Sequence, residues 1–243
     1  MDKRRPFVVG QYYSDRSQKQ DFLRDIFDQT APFYEGIARW GWFGSGQWYR
    51  NDVLKRAGFQ SHMRVIDVAS GTGPVARALV KLVDSPDQVV CAEPSAGMIA
   101  ESKKTVPCVH HQTTAESLPV EDQSFDFLTM GFALRHVDDL DATFTEFRRV
   151  IKDGGKALVL DVTIPDSAFG RWLFRAYFKH ILPALTLVFT WNRDSYRLMK
   201  YYWETMDQMT DRDEVAQIMR DAGFSDVTHR VVLGCFSEYE AIR

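Results

Sequence analysis

An acid, a glycine turn and a helix start follow one another in the segment Val65-Ile66-Asp67-Val68-Ala69-Ser70-Gly71-Thr72-Gly73-Pro74-Val75-Ala76. The order strand, turn, helix points free backbone N–H groups at whatever ligand sits above the turn. Read as G-x-G-x-x-A, the loop also fits a dinucleotide fingerprint, in which those N–H groups grip a pyrophosphate. Two residues oppose that ligand. Pro74 removes one donor at the helix start, and the Asp67 carboxylate repels phosphate. A carboxylate beside a glycine turn suits a ligand with a cationic amine, the alternative being that Asp67 only caps the turn.

A second acid, Glu93, closes the run Val89-Val90-Cys91-Ala92. At a strand end an acid accepts hydrogen bonds from both hydroxyls of a ribose. Thr114-Ala115-Glu116-Ser117-Leu118-Pro119 falls where a third strand should end, placed to meet an adenine edge; an ordinary turn closed by Pro119 is the alternative. An amine, a ribose and an adenine together describe S-adenosylmethionine. Methyl transfer from its sulfonium is an in-line displacement, so the protein must align the acceptor and manage the acceptor's proton. His136, after the fourth strand, is the candidate for the proton, because histidine titrates near neutrality; a cap or a satisfied buried histidine is the alternative. Arg135 can stabilise a phenolate or pair with Asp138 or Asp139. His110 and His111 are adjacent, point to opposite faces of a strand and have no evident third partner, so no metal is expected.

The elements that must position these groups show as an alternation. Short apolar runs at 64–69, 88–92, 125–131 and 155–162 are separated by helical patterns at 74–82, 95–104 and 139–151. Asp153-Gly154-Gly155 reads as a helix stop and turn, 211–222 as a further helix and 227–233 as a further strand. This predicts an α/β fold, a Rossmann-like doubly wound and mostly parallel sheet with helices on both faces. Two regions fall outside the alternation: an N-terminal helical cap, 1–57, and a helical, aromatic-rich insertion, 165–210, within the main unit 58–243. Both are expected as a lid over the sheet's carboxyl edge, where such sheets bind ligands. In the insertion, Arg171, Arg175 and Lys179 are spaced by four, on a helix face opposite Leu173, Phe174 and Tyr177. Such a helix either rests on anionic membrane or is a lid with a solvated basic face.

Composition narrows the partners. Lys and Arg number 30 against 33 Asp and Glu, a formal charge of -3, so there is no global positive excess to hold nucleic acid. The three cysteines, Cys91, Cys108 and Cys235, are scattered, which indicates neither a disulfide framework nor a zinc site. Residues 1–10 lack the apolar run of a secretory signal. The stretch 181–191 contains Pro183 and falls short of the roughly 18 residues a spanning helix needs. A cytoplasmic location, with membrane contact at most peripheral, is expected; the oligomeric state is not legible.

Several of these segments, in order, resemble class I S-adenosylmethionine-dependent methyltransferases. They are Asp67 to Gly73, Ala115-Glu116-Ser117-Leu118-Pro119, Ser124-Phe125-Asp126, Phe132-Ala133-Leu134-Arg135-His136-Val137 and Arg149-Val150-Ile151-Lys152-Asp153-Gly154-Gly155. More narrowly, they resemble the ubiquinone/menaquinone biosynthesis C-methyltransferase family, as do Phe27-Asp28-Gln29-Thr30-Ala31-Pro32-Phe33-Tyr34-Glu35 and Trp48-Tyr49-Arg50. The resemblance implies S-adenosylmethionine as cofactor and S-adenosylhomocysteine as product. It implies a cofactor site at Asp67, Ala69, Ser70, Gly71, Gly73, Glu93, Pro94, Met98, Thr114, Ala115, Glu116 and Gly131. Catalysis is expected at His136 and Arg135, and contact with a quinol-like aromatic acceptor, with or without a lipid tail, at Phe132, Tyr177, Tyr201 and Tyr202. The family usually has Arg-Asn where Arg135-His136 stands. O- or N-methylation of another aromatic metabolite, or cofactor binding without catalysis, remain the alternatives.

Overall fold

In the computed structural model, residues 12–41, 46–206 and 211–243 are described; the charged stretch at residues 2–5 and the last four positions of the 165–210 insertion lie outside them. The chain enters through α1 (Arg16–Gly41) and α2 (Gly46–Arg56) before reaching the sheet. β1 (Val65–Val68) then runs through the glycine turn into α3 (Pro74–Val80), β2 (Val89–Glu93) into α4 (Ala96–Ser102), and β3 (Val109–Gln112) into a turn. β4 (Phe125–Gly131), α5 (Leu140–Val150) and β5 (Ile151–Val162) complete the parallel part. The insertion follows as α6 (Ala168–Ala176), a π-helical segment (Tyr177–Ile181), α7 (Leu182–Thr190) and α8 (Arg193–Met206). α9 (Arg212–Asp221), β6 (Ser225–Val232) and β7 (Phe236–Ile242) close the chain.

The seven strands lie in the order β3-β2-β1-β4-β5-β7-β6, with β7 antiparallel to both its neighbours. Alternation along each strand sorts side chains onto two faces. Ile66, Val68, Leu128, Met130, Ala157 and Val159 pack against Phe144 and Phe147 of α5 and Val215, Ile218 and Met219 of α9. Val65, Phe127, Leu158 and Leu160 pack against Val53 and Leu54 of α2 and Ala76 and Leu79 of α3. Burying a phenylalanine such as Phe144 or Phe147 contributes about 2 kcal/mol relative to leaving it in water. The doubly wound, mostly parallel architecture read from the alternation is therefore the fold, and the order reverses between β1 and β4, where an open crevice forms at the strands' carboxyl ends.

Two local readings change. Residues 153–155 are not a turn before a strand but a bulge within β5. Phe125 pairs with Ile151 and Phe127 with Lys156, so the residues between are extruded, with Gly154 at φ +77. The C-terminal Arg243 pairs with this bulge through Gly154 N–H and Gly155 C=O. In α6, Leu173 and Phe174 do not share a face: Phe174 is 8% exposed and Leu173 52%.

Candidate active site

A cavity of about 450 Å³ opens at the switch point between β1 and β4. Its floor is the loop after β1, its sides the loops after β2, β3 and β4, and its cover α1 with part of the insertion. One stripe of α1 faces it, made of Gln20, Leu23, Arg24, Phe27, Tyr34, Ile37 and Ala38. Asp28, on the same helix, fixes the cover to the sheet. Its Oδ1 accepts from Ser95 Oγ (2.5 Å) and Gly97 N (2.8 Å) at the start of α4. Gly97 is needed there, since a Cβ would lie 2.9 Å from the Asp28 backbone. Lys19 Nζ, buried, donates to Val137 O (2.7 Å) and draws α1 onto the loop after β4.

The floor is acidic and polar. Asp67 accepts from Thr129 Oγ1 through Oδ1 (2.7 Å), while Oδ2 has no hydrogen-bond partner. Ser70 Oγ and Thr72 Oγ1 are likewise buried and unpartnered. Glu93 accepts from Gly71 N (2.8 Å) and Ser95 N (3.0 Å), tying the end of β2 to the glycine turn. Burial pushes both carboxyls up to about 7, against which hydrogen bonds from Thr129, Ser95 and Gly71 only partly hold them down. Arg50 of α2 also lines the floor. Its Nε is buried without a partner, and burial lowers its pKa. Two non-glycine residues on the wall, Ala69 (φ 52) and Phe132 (φ 63), hold left-handed backbone on the two sides of the switch point.

The other half is aromatic and apolar, formed by Phe27, Tyr34, Phe132, Phe178, Leu182, Met199 and Tyr202. His136 stands in it. Its ring stacks on Tyr201 (centroids 5.8 Å, 19°) and meets Phe27 edge-on (5.4 Å, 80°), and its Nδ1 has no partner. Burial first, then Arg135 and Lys19, hold its pKa well below the usual histidine value. It is neutral at pH 7, and the near-neutral base expected from its residue type is not what this environment makes.

Of the sequence-derived residues, Asp67, Ala69, Ser70, Gly71, Glu93, Pro94, Met98, Thr114, Ala115, Glu116, Gly131, Phe132, His136 and Tyr202 meet in this one wall. Gly73 lies beneath it, with no room for a Cβ against Ser102 Oγ (2.5 Å). Three others do not reach it. Arg135 is turned into the protein, paired with Asp161 of β5 (2.7 Å) and over the Tyr202 ring (4.1 Å), not with Asp138 or Asp139. Asp139 instead caps α5 through Ala142 N (3.1 Å). Tyr201 is fully buried and shares its hydroxyl with Tyr13 (3.1 Å), and Tyr177 donates to Gly41 O (3.0 Å). Reading by motif missed Arg50 and the α1 stripe, although that stripe's 3.6-residue spacing was visible.

The scattered cysteines converge in part. Cys91 Sγ and Cys108 Sγ lie 3.4 Å apart, and with His110 they form a group whose ligand atoms lie within 4.8 Å. Both ring nitrogens of His110 are already engaged, with Cys108 O (2.9 Å) and Ser102 Oγ (3.0 Å). A soft cation there would have to displace one of these bonds.

Known proteins give the same outline. Residues 15–238 match the model of the ubiE/COQ5 methyltransferase family. A ubiquinone/menaquinone biosynthesis C-methyltransferase from Shewanella frigidimarina is 32% identical over 222 residues, covering 88% of this chain and 87% of its own. A demethylmenaquinone methyltransferase from Staphylococcus saprophyticus is 27% identical, covering 91% and 95%. Among solved structures, an S-adenosylmethionine-dependent methyltransferase from Thermotoga maritima superposes with a TM-score of 0.62 at 22% identity, over 90% of this chain and 99% of its own.

Proposed function

The chain belongs to the ubiE/COQ5 methyltransferase family and is an S-adenosylmethionine-dependent methyltransferase; on that footing we propose that it methylates a ring carbon of a quinol-like aromatic acceptor. The names of the relatives from Shewanella and Staphylococcus support the acceptor class. The observation that carries the reading is the cavity's division into a polar, acidic half and an aromatic half whose unpaired acceptor is the neutral His136.

The polar half fits the cofactor. Asp67 Oδ2, Ser70 Oγ and Thr72 Oγ1 are buried and unpartnered there, and nothing stands within 4 Å of where a Cβ of Gly71 would be. Asp67 would hold the ammonium, Arg50 the carboxylate, Glu93 the ribose hydroxyls and Thr114 the adenine amine, with Pro94, Met98, Ala115 and Glu116 around the base. When bound, S-adenosylmethionine supplies an electrophilic methyl group on a sulfonium. The chain's own residues do the rest. Phe27, Phe132, Phe178 and Tyr202 exclude water and set the plane of an aromatic ring. His136 Nδ1 accepts a hydrogen bond from the acceptor hydroxyl, raising electron density on that oxygen and, through the ring, on the neighbouring carbon. The buried Arg135 acts at one remove, its pairing with Asp161 fixing the backbone that presents His136. A second reading, O-methylation, draws on the same hydrogen bond, because the oxygen is the atom His136 addresses.

Incubation with methyl-labelled S-adenosylmethionine and a tail-less 1,4-naphthohydroquinone separates the two. A product with a new ring-carbon methyl signal is the expected result, and an aryl methyl ether would replace it with the second reading. Cofactor binding without transfer to any hydroquinone would overturn the acceptor class.

A further inference from the structure

The stretch 167–193 contains no Asp or Glu but has Arg171, Arg175, Lys179 and Arg193. From Ala168 to Thr190 it is one unbroken helical run, α6 passing through the π-helical segment into α7. Phe174, Phe178, Leu182 and Thr186, spaced by four, are buried, and two of them line the cavity. The opposite side is apolar and bare. Phe169, Trp172, Ile181, Val188 and Trp191 are between 47% and 90% exposed, clear of the buried row at 174, 178, 182 and 186. Nine of the fourteen large exposed hydrophobics among the described residues fall between 169 and 191. Soluble surfaces rarely gather so many in one place, and such a patch marks a docking site.

We propose that the outer side of this run lies flat in the interface of an anionic lipid bilayer, with Phe169, Trp172, Val188 and Trp191 among the acyl chains and Arg171, Arg175 and Lys179 on lipid phosphates. A helix with an apolar stripe, exposed tryptophans and a basic border, with the nearest acids, Asp166 and Asp194, lying beyond its two ends, is the form that binds there. Charge chooses this occupant over a second copy of the chain, because a two-fold contact would set the same acid-free, basic face against itself. The run's inner side is cavity wall, so docking brings the cavity's cover to the bilayer surface. The proposal adds to the acceptor reading a route by which a lipid-tailed quinol enters from the membrane.

The test needs no acceptor. Full-length protein is sedimented with vesicles of phosphatidylcholine alone and of phosphatidylcholine with one quarter phosphatidylglycerol, and the tryptophan emission is recorded. Binding to the anionic vesicles, weakened by salt and accompanied by a blue shift, is expected. W172S/W191S, altered only at exposed side chains, should lose binding at least 10-fold. R171Q/R175Q/K179Q should lose on the order of 100-fold for anionic vesicles, about fivefold per cation. S-adenosylhomocysteine binding should be unchanged in both, which shows that they fold. Absence of binding to either vesicle, or equal binding by both variants, would overturn the proposal. So would a concentration-dependent dimer that W172S/W191S abolishes, since the face would then belong to a second copy. Turnover of the tail-less hydroquinone reports on the acceptor reading separately.

Discussion

Asp67 and Glu93 make cofactor binding pH-dependent in a calculable way. Burial with too few donors pushes both carboxyls up to about 7. In the unfolded chain carboxyls ionise near 4, so between pH 4 and pH 7 the native chain retains protons that the unfolded chain has released. The contribution of these two groups to stability therefore falls as pH rises through that window. A cationic amine and two ribose hydroxyls require the ionised forms and reverse the cost. Taken at about 7, with the charge of Glu93 among the causes that raise Asp67, each is about 10% ionised at pH 6 and about 90% at pH 8. If both must be ionised, affinity should rise about 100-fold between those pH values, and binding at pH 7 should release about one proton. Calorimetry of S-adenosylhomocysteine binding in two buffers of different ionisation enthalpy measures both quantities. Asp67→Asn keeps an acceptor for Thr129 and removes one titration, so its affinity should be lower at pH 8 and its pH dependence about 10-fold. A dissociation constant flat from pH 6 to 8, with no proton released by the native protein, would refute the assignment of this acidic floor to the cofactor.

Three further outcomes follow from the geometry. His136→Ala should lower turnover by roughly 10²-fold with the cofactor dissociation constant nearly unchanged, whereas His136→Asn, which keeps a hydrogen-bond acceptor, should retain most activity; because the histidine is held well below its ordinary value, the native rate should show no histidine step between pH 6.5 and 8. Arg135→Met should destabilise the fold by about 3–5 kcal/mol in a urea melt by leaving the buried Asp161 without its cation, and adding Asp161→Leu should restore most of that loss; full stability in the single variant would show that the pair is not structural. Asp28→Ala should cost about 1–2 kcal/mol by uncapping α4 from α1, and the same loss should appear as weaker S-adenosylhomocysteine binding, since α1 covers the cavity.

Local chemistry was legible in the sequence, and contacts between distant segments were not. The glycine turn, Glu93 at the end of β2 and the elements around β4 are each specified within about a dozen residues, by turn residues and by apolar period. β7 escaped notice because Glu238 and Glu240 interrupt its apolar pattern. Glu238 is buried all the same, held by Tyr49 (2.9 Å), Arg56 (2.8 Å) and Arg230, which come from α2 and β6. The Asp153-Gly154-Gly155 turn chemistry is present, but the sheet absorbs it as a bulge. For Arg135 the sequence offers a catalytic role on a phenolate or a pairing with Asp138 or Asp139, because Asp161, its actual partner, arrives through a strand pairing that spacing alone does not give. The low proton affinity of His136 is likewise tertiary: burial does most of it, and Arg135 and then Lys19, which α1 brings near from far away in sequence, add to it.

Phe132 carries one more implication. An aromatic residue in left-handed backbone costs of order 1 kcal/mol or more, and glycine would occupy the position without strain. The ring offsets that strain by packing, since it meets Phe236 edge-on (6.0 Å) and lies under the Arg50 guanidinium (5.7 Å). One side chain therefore ties the end of β4 to α2 and β7 and shapes the pocket as well. A change here cannot alter the acceptor wall without also loosening the junction of those elements.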